Sequence, residues 1–303
     1  VSGMLGAHPV PLLQTMRKTV VDGSNTSGFQ RTTLVATNGV LETDGGPVGI
    51  DVLCLEEDSA RKLDSELTPT GEVVTWNLDR LGIPLIEIAT APDVKTPDHA
   101  KQTSIALGRT LRDTRRVRRG LGSIRQDLNV SIMCGDRVEI KGCQDLEWIP
   151  RIIRCEMARQ LHFYRLANQL RTMHGLPALS SDRREESESI EEQVSQLLPL
   201  DLVDVSSQFS TCDANRVKQG LADNSVMLAL PLPGFSGLIG TKEFDADGAQ
   251  MPRLGRELAG AAKLAGVAGV YHSDELPAYG IEQEFVDATR EALDGVDAFV
   301  LCL

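Results

Sequence analysis

The sequence predicts an α+β fold: a mixed or antiparallel sheet forming a cradle domain with flanking helices, followed by a small α+β insert domain. Three observations predict it. Short apolar runs of strand length recur at residues 50–55 and 85–89, the second bounded by Pro84 and Pro92, which is the length and punctuation of core strands. Two longer stretches with helical spacing follow, at residues 97–111 and 144–173. After Leu200 short strands and a helix alternate, the texture of a compact α+β unit. At 303 residues the chain has room for two cores. The expected division is a cradle domain over residues 1–178, a charged linker over 179–200 and the insert domain over 201–303.

Composition narrows the function. Hydrophobic residues make up 41% of the chain and aromatic residues only 4%, an ordinary globular balance with too few rings for rows of stacked bases. The formal net charge of -12 argues against general affinity for phosphate backbones. Arginine outnumbers lysine and acidic residues run the whole length, a pattern suited to a salt-rich cytoplasm, so local charge is the better guide to partners. The six cysteines have no metal-ligand spacing and read as free thiols in a reducing cytosol. No run approaches the roughly 18 apolar residues of a membrane span, and no signal peptide is expected from these residues. The missing initiator Met and a final DAFVLCL that reads as mid-strand suggest a piece of a longer protein.

Taken in order, DGSNTSG at residues 22–28 is a polar loop feeding a strand at 33–37. Its small residues, Ser24 and Asn25 among them, let backbone N–H groups approach an anion, and Arg31 adds a charge. The loop matches no Walker pattern, and a plain surface loop fits equally well. Glu56, Glu57 and Asp58 follow the strand at 50–55, and Glu87 interrupts the one at 85–89. A carboxylate within such a run must be paired, hydrogen-bonded or metal-bound. The alternative is an edge strand with Glu87 facing water. Two strand-borne acidic sites suit Mg2+, which takes hard oxygen ligands and keeps waters for substrate phosphates.

Thr96, Pro97 and Asp98 give the next helix its cap, first residue and acidic first turn, so His99 reads as a helix-start residue. Six arginines lie between Arg112 and Arg125, and arginine suits bidentate phosphate recognition; a solvated helix end making ion pairs is the alternative. Gly120 and Gly122 turn into a strand with Leu128, Val130 and Ile132 on one face and Asp127 and Asn129 on the other. A turn at 134–136 leads to a strand at 137–140 carrying Glu139, with Lys141 just beyond. The second helix spans 144–173, with Trp148 expected to pack. SSDRREESESIEEQ reads as an exposed linker or helix without chemistry of its own. Strands at 203–205, 226–230 and 267–271, the glycine-rich 234–240 and a helix at 253–265 complete the chain. His272, Asp274 and Glu275 share one loop; a metal site is conceivable there, but such a trio is usually turn chemistry.

NLDRLGIPLIEIATAPD, GLGSIRQDLNVSI, RVEIKGCQDL and VDGSNTSGFQRT together resemble the B/E family of tRNA-dependent amidotransferases, in its archaeal E branch acting on glutamyl-tRNA(Gln). GFSGLIG and VYHSDELPAYGI resemble the insert domain that branch shares with certain aspartyl-tRNA synthetases. The resemblance runs from about residue 20 to the end. It implies a cytoplasmic ligase that uses ATP and Mg2+ to phosphorylate the glutamate side chain misacylated onto tRNA(Gln). Ammonia from an asparaginase-like, D-type amidotransferase partner then displaces the phosphate within a heterotetramer. It also implies metal-binding carboxylates at Glu57 and Glu87, with Glu56 and Asp58 beside them. Arg80, Arg125, Asp127, Asn129, Glu139 and Lys141 would line the same pocket, with Arg80, Arg125 and Lys141 on phosphates.

The family pattern also carries a preceding strand with a Glu and a His, and tRNA-contacting helical and tail domains, which these residues do not include. Two rival classes remain. One is a non-catalytic tRNA-binding or assembly module related to the synthetase insert domain, which would use the arginine stripe and have no need of Glu57 with Glu87. The other is an unrelated Mg2+-dependent ligase on a different fold.

Overall fold

Two long strands organise the first half of the chain. β3 (Phe29–Leu41) and β4 (Val48–Glu57) turn Ala36, Leu41, Val48, Ile50 and Leu53 into the core, as a sheet with one packed face requires. In this computed structural model, residues 1–69, 71–120, 122–185, 201–244, 246, 248 and 251–303 are described. β1 (His8–Pro9) and β2 (Thr15–Thr19) pair with β3, and β7 (Pro84–Thr90) pairs with β4. Every ladder of this five-stranded sheet is antiparallel, and β7 is its outer strand on the β4 side.

Between β4 and β7 the chain makes an excursion, the antiparallel ribbon β5 (Arg61–Thr68) and β6 (Gly71–Asn77). Its two roots are tied together. Asp58 N donates to Ile83 O at 2.7 Å, and Gly82 N donates to Asp58 O at 3.0 Å. Gly82 adopts φ +77°, a turn conformation that side chains resist. This knot sets Asp58, Ser59 and Arg80 beside one another.

Helix α1 (Pro97–Asp113) begins as expected, with Thr96 Oγ1 accepting from His99 N at 3.1 Å. His99 is buried and its Nε2 lies 2.9 Å from Thr43 Oγ1, a packing role. Ala106 and Leu107 pack with Leu5, Ala36, Ile50 and Leu53, where each large aliphatic side chain contributes about 1.5–3 kcal/mol by burial.

The chain divides into two compact units, residues 1–128 with 140–153, and residues 129–139 with 154–303. β8 (Leu128–Val130) and β9 (Val138–Ile140) form a two-stranded ribbon. Helix α2 (Ile149–Met173) follows a 3-10 turn, and Trp148 at that turn is 53% exposed under Arg151 rather than packed. In the second unit β10 (Val203–Asp204), β11 (Leu228–Pro231), β12 (Val270–His272) and β13 (Phe299–Cys302) form an antiparallel sheet in the order β10-β11-β13-β12. The helices α3 (Asn215–Ala222), α4 (Leu254–Leu264) and α5 (Gln283–Ala292) complete it. Phe209 stacks on Phe285 at 5.4 Å in one core layer. Leu170, Leu254 and Leu258 pack with Ile239 and Val300 in another.

The fold is α+β, and the five-stranded sheet, the β5-β6 ribbon and the four-stranded sheet of the second unit are antiparallel. Much of the expected charged linker, residues 186–200, lies outside the described residues. All six cysteines are free thiols. No helix among the described residues is long and apolar enough to cross a membrane.

Candidate active site on the five-stranded sheet

Strand alternation decides which acidic side chains meet. Glu56 and Glu57 are neighbours on β4, so they leave the sheet on opposite faces. Glu87 stands directly across from Cys54, and Glu56 across from Thr32. Glu87, Cys54 and Glu56 therefore share one face, and Glu57 is on the other. The pairing of Glu57 with Glu87 expected from the sequence is not formed; Glu56 takes that place.

On the first face Glu56 is nearly buried and bonded twice. Lys18 of β2 forms an ion pair with its Oε1, and Thr32 Oγ1 donates to the same atom at 2.8 Å. Partial burial and then the charge of Glu56 raise the Glu87 carboxyl above the usual range, while Lys18 and Lys141 oppose the rise. Burial first and a neighbouring like charge second produce this result. Burial, then Glu87 and Glu56, likewise hold the Cys54 thiol protonated. Glu87 lies on an outer strand and is open to solvent, so the edge-strand alternative describes its position correctly.

The second face carries a different group. Arg31 Nη1 donates to Glu57 Oε1 at 2.6 Å, and Arg31 N donates to Oε2 at 3.3 Å. The Arg17 and Arg31 guanidinium groups lie 5.0 and 5.4 Å from the centre of the Phe29 ring. Arg31 is thus engaged with Glu57 and Phe29.

Asp58 is an arginine anchor. Its Oδ1 accepts from Ser59 N at 3.0 Å and from Arg125 Nη2 at 3.2 Å, and lies 3.9 Å from Arg80 Nε. Arg80 Nε also donates to Ser59 O at 2.9 Å. Both guanidinium groups remain well exposed, at 38% and 46% of the side chain, so donors are left over for an anion. Beyond Arg125, Asp127 pairs with Lys141 at 3.5 Å and accepts from Gly142 N at 3.2 Å.

The polar loop is turned inward. Ser24 and Asn25 are buried: Ser24 Oγ donates to Asp22 at 2.6 Å, Ser24 O accepts from Ala60 N at 2.8 Å, and Asn25 Nδ2 donates to Ser59 Oγ at 3.1 Å. These side chains clamp the loop onto the root of the ribbon and are not presented to a ligand. Asn129 and Glu139 are exposed on β8 and β9 within the second unit.

In that second unit the His272 loop resolves into turn chemistry. The Asp274 carboxylate accepts from Gly237 N, Ile239 N and Gly240 N at 2.8–2.9 Å. Glu275 is held by Arg253 and by Tyr279 OH at 3.0 Å, and burial pushes the His272 imidazole below its ordinary value. No group of three or more His, Cys, Asp or Glu side chains among the described residues is arranged to hold a metal. The Glu56 and Glu87 pair still fits a Mg2+ ion, which binds through one or two carboxylates and leaves its other positions to water and phosphate. Nothing in the sequence marks Lys18 as a member of this group, because β2 is exposed throughout and carries no apolar signal; its neighbour Thr32 is equally silent.

The model of the GatB/GatE catalytic domain matches residues 1–249. Among similar proteins is the E component of glutamyl-tRNA(Gln) amidotransferase from Methanocaldococcus jannaschii, 43% identical over 95% of this chain and 41% of its own length. Those of the same name from Pyrococcus furiosus (45% identical, 98% of this chain, 43% of its own length) and Aeropyrum pernix (44%, 99% and 44%) are alike. The chain spans less than half the length of these relatives. With 249 of 303 residues matched, it belongs to the GatB/GatE catalytic domain family.

Proposed function

We propose that this chain is the catalytic part of a cytoplasmic, E-type, tRNA-dependent amidotransferase. It activates the glutamate of Glu-tRNA(Gln) with ATP and Mg2+, and ammonia from an asparaginase-like, D-type partner converts the acyl phosphate to the amide. The observation that carries the reading is the Glu56 and Glu87 pair on one sheet face, together with Arg80 and Arg125 fanned out from Asp58. Glu56 and Glu87 would hold Mg2+, which when bound supplies positive charge for the nucleotide's phosphates. Phosphoryl transfer demands positioning and charge neutralisation more than covalent chemistry.

The side chains divide this work. Arg80 and Arg125, oriented by the buried Asp58, offer their remaining N–H groups to phosphate oxygens. Lys141, tethered by Asp127, adds a third cation near Glu87. Lys18 pairs with Glu56 and opposes the rise of the Glu87 carboxyl beside it. Residues 201–303 are taken to include the synthetase-like insert domain.

The test is ADP formation by the full-length protein. It should require Mg2+ and Glu-tRNA(Gln), and Gln-tRNA(Gln) should accumulate once the amide-donating partner is added. ATP turnover that is equal with uncharged tRNA, or absent altogether, would contradict the reading. A second reading, a non-catalytic tRNA-binding module, draws on the exposed arginines at residues 112–119; under it Glu87→Gln would leave every activity unchanged.

A further inference from the structure

The arginine stripe does not behave as one group. Helix α1 ends at Asp113 and Arg115 takes φ +57°, so the segment expected to run out as a helix end is folded back into a loop. Arg125 turns into the site and pairs with Asp58 at 3.2 Å. Arg112, Arg115, Arg116, Arg118 and Arg119 stay exposed, as does Arg109 one turn earlier. Among the described residues none of these six side chains has a carboxylate or hydrogen-bond partner. The exposed set is solvated, as the alternative reading has it, while the ion pair of that reading is made by Arg125 alone among the stripe's described residues.

We infer that this loop is a docking surface for the sugar-phosphate backbone of an RNA, separate from the nucleotide site. A single nucleotide needs donors converging on one point, whereas these guanidinium groups are spread along a surface loop with open donors. Spread, weakly hydrated planar donors fit a succession of phosphates. The chain's net charge of -12 would repel a polyanion elsewhere, so contact must be made by a local cationic surface. Local turns flank the exposed run. Thr114 Oγ1 donates to Leu111 O at 2.6 Å and accepts from Arg116 N at 3.2 Å, and Ser123 Oγ donates to Gly120 O at 2.7 Å.

The inference rests on the proposed function only in naming tRNA as the RNA concerned. Its test uses the full-length protein, an uncharged tRNA transcript and a salt titration, with no turnover required. The quadruple variant Arg115→Gln, Arg116→Gln, Arg118→Gln, Arg119→Gln should bind the transcript at least about tenfold more weakly near 0.1 M salt. Its slope of log K against log salt should flatten by about one for each phosphate that the variant no longer neutralises. The KM for ATP and the melting temperature should not change. Unchanged RNA affinity and slope would overturn the inference. So would a loss confined to ATP, or a loss of binding to phosphatidylserine vesicles with RNA binding intact. Wild-type protein that binds the transcript through this loop yet never forms ADP would sink the kinase reading alone.

Discussion

Glu87 is the residue at which stability and proposed function pull apart. Its carboxyl is raised, so the native state holds a proton that the unfolded chain releases more readily. That relation destabilises the folded protein once pH climbs above the ordinary carboxylate range and has no effect below it. Glu87→Gln should therefore melt at a higher temperature than the parent at pH 7, by a margin that vanishes near pH 4, while ADP formation falls by about 10²-fold or more. A lower melting temperature at pH 7 would show that the two carboxylates do not oppose each other. His272 gives the complementary case. Burial depresses its pKa, so below the ordinary histidine value of about 6.5 the unfolded chain gains the proton first and stability falls. Urea midpoints at pH 7.5 and 5.5 should differ less in His272→Gln than in the parent.

At the scale of elements, the ribbon root is the device that builds the arginine pair. Asp58 ties together the ends of an excursion whose strands are themselves almost wholly exposed. Asp58→Ala should leave Arg80 and Arg125 without their shared anchor and reduce ADP formation by about 10²-fold, with tRNA binding retained. Loss of tRNA binding in this variant would mean that the arginines belong to the RNA surface instead. Ile50 tests the sheet beneath: it is buried in the core of β4, and Ile50→Ala should cost about 2–5 kcal/mol in denaturant unfolding. β3 and β4 are legible in the sequence because apolar residues of each face a core, and β7 because its apolar run is bounded by prolines, although only its Ile88 packs on that core. β2, β5 and β6 are not, because strands open to water have no hydrophobic period to read. The face on which Glu56 and Glu57 emerge is hidden for another reason: a shift of one residue in register exchanges the faces, and register is set by the partner strand.

For the whole molecule, two compact units form on one acidic chain, and two cationic groups of the first unit bear on the proposed chemistry. One is the Arg80 and Arg125 pair around Asp58, and the other is the loop after α1. The cationic character of the segment can be read from its arginine density alone. Its separation into an anchored arginine and an exposed set cannot, since that depends on a positive-φ turn at Arg115. Likewise the polar loop at residues 22–28 reads by composition as a phosphate loop or a plain surface loop, yet its burial of Ser24 and Asn25 follows from packing against residues far along the chain.

The most direct measurement is binding of Mn2+, as a spectroscopic substitute for Mg2+, to full-length protein by electron paramagnetic resonance. Glu56→Gln and Glu87→Gln should each weaken the ion by at least about tenfold, while Glu57→Gln binds it as the parent does. A Glu57→Gln protein that loses the ion, beside a Glu56→Gln protein that keeps it, would contradict the account.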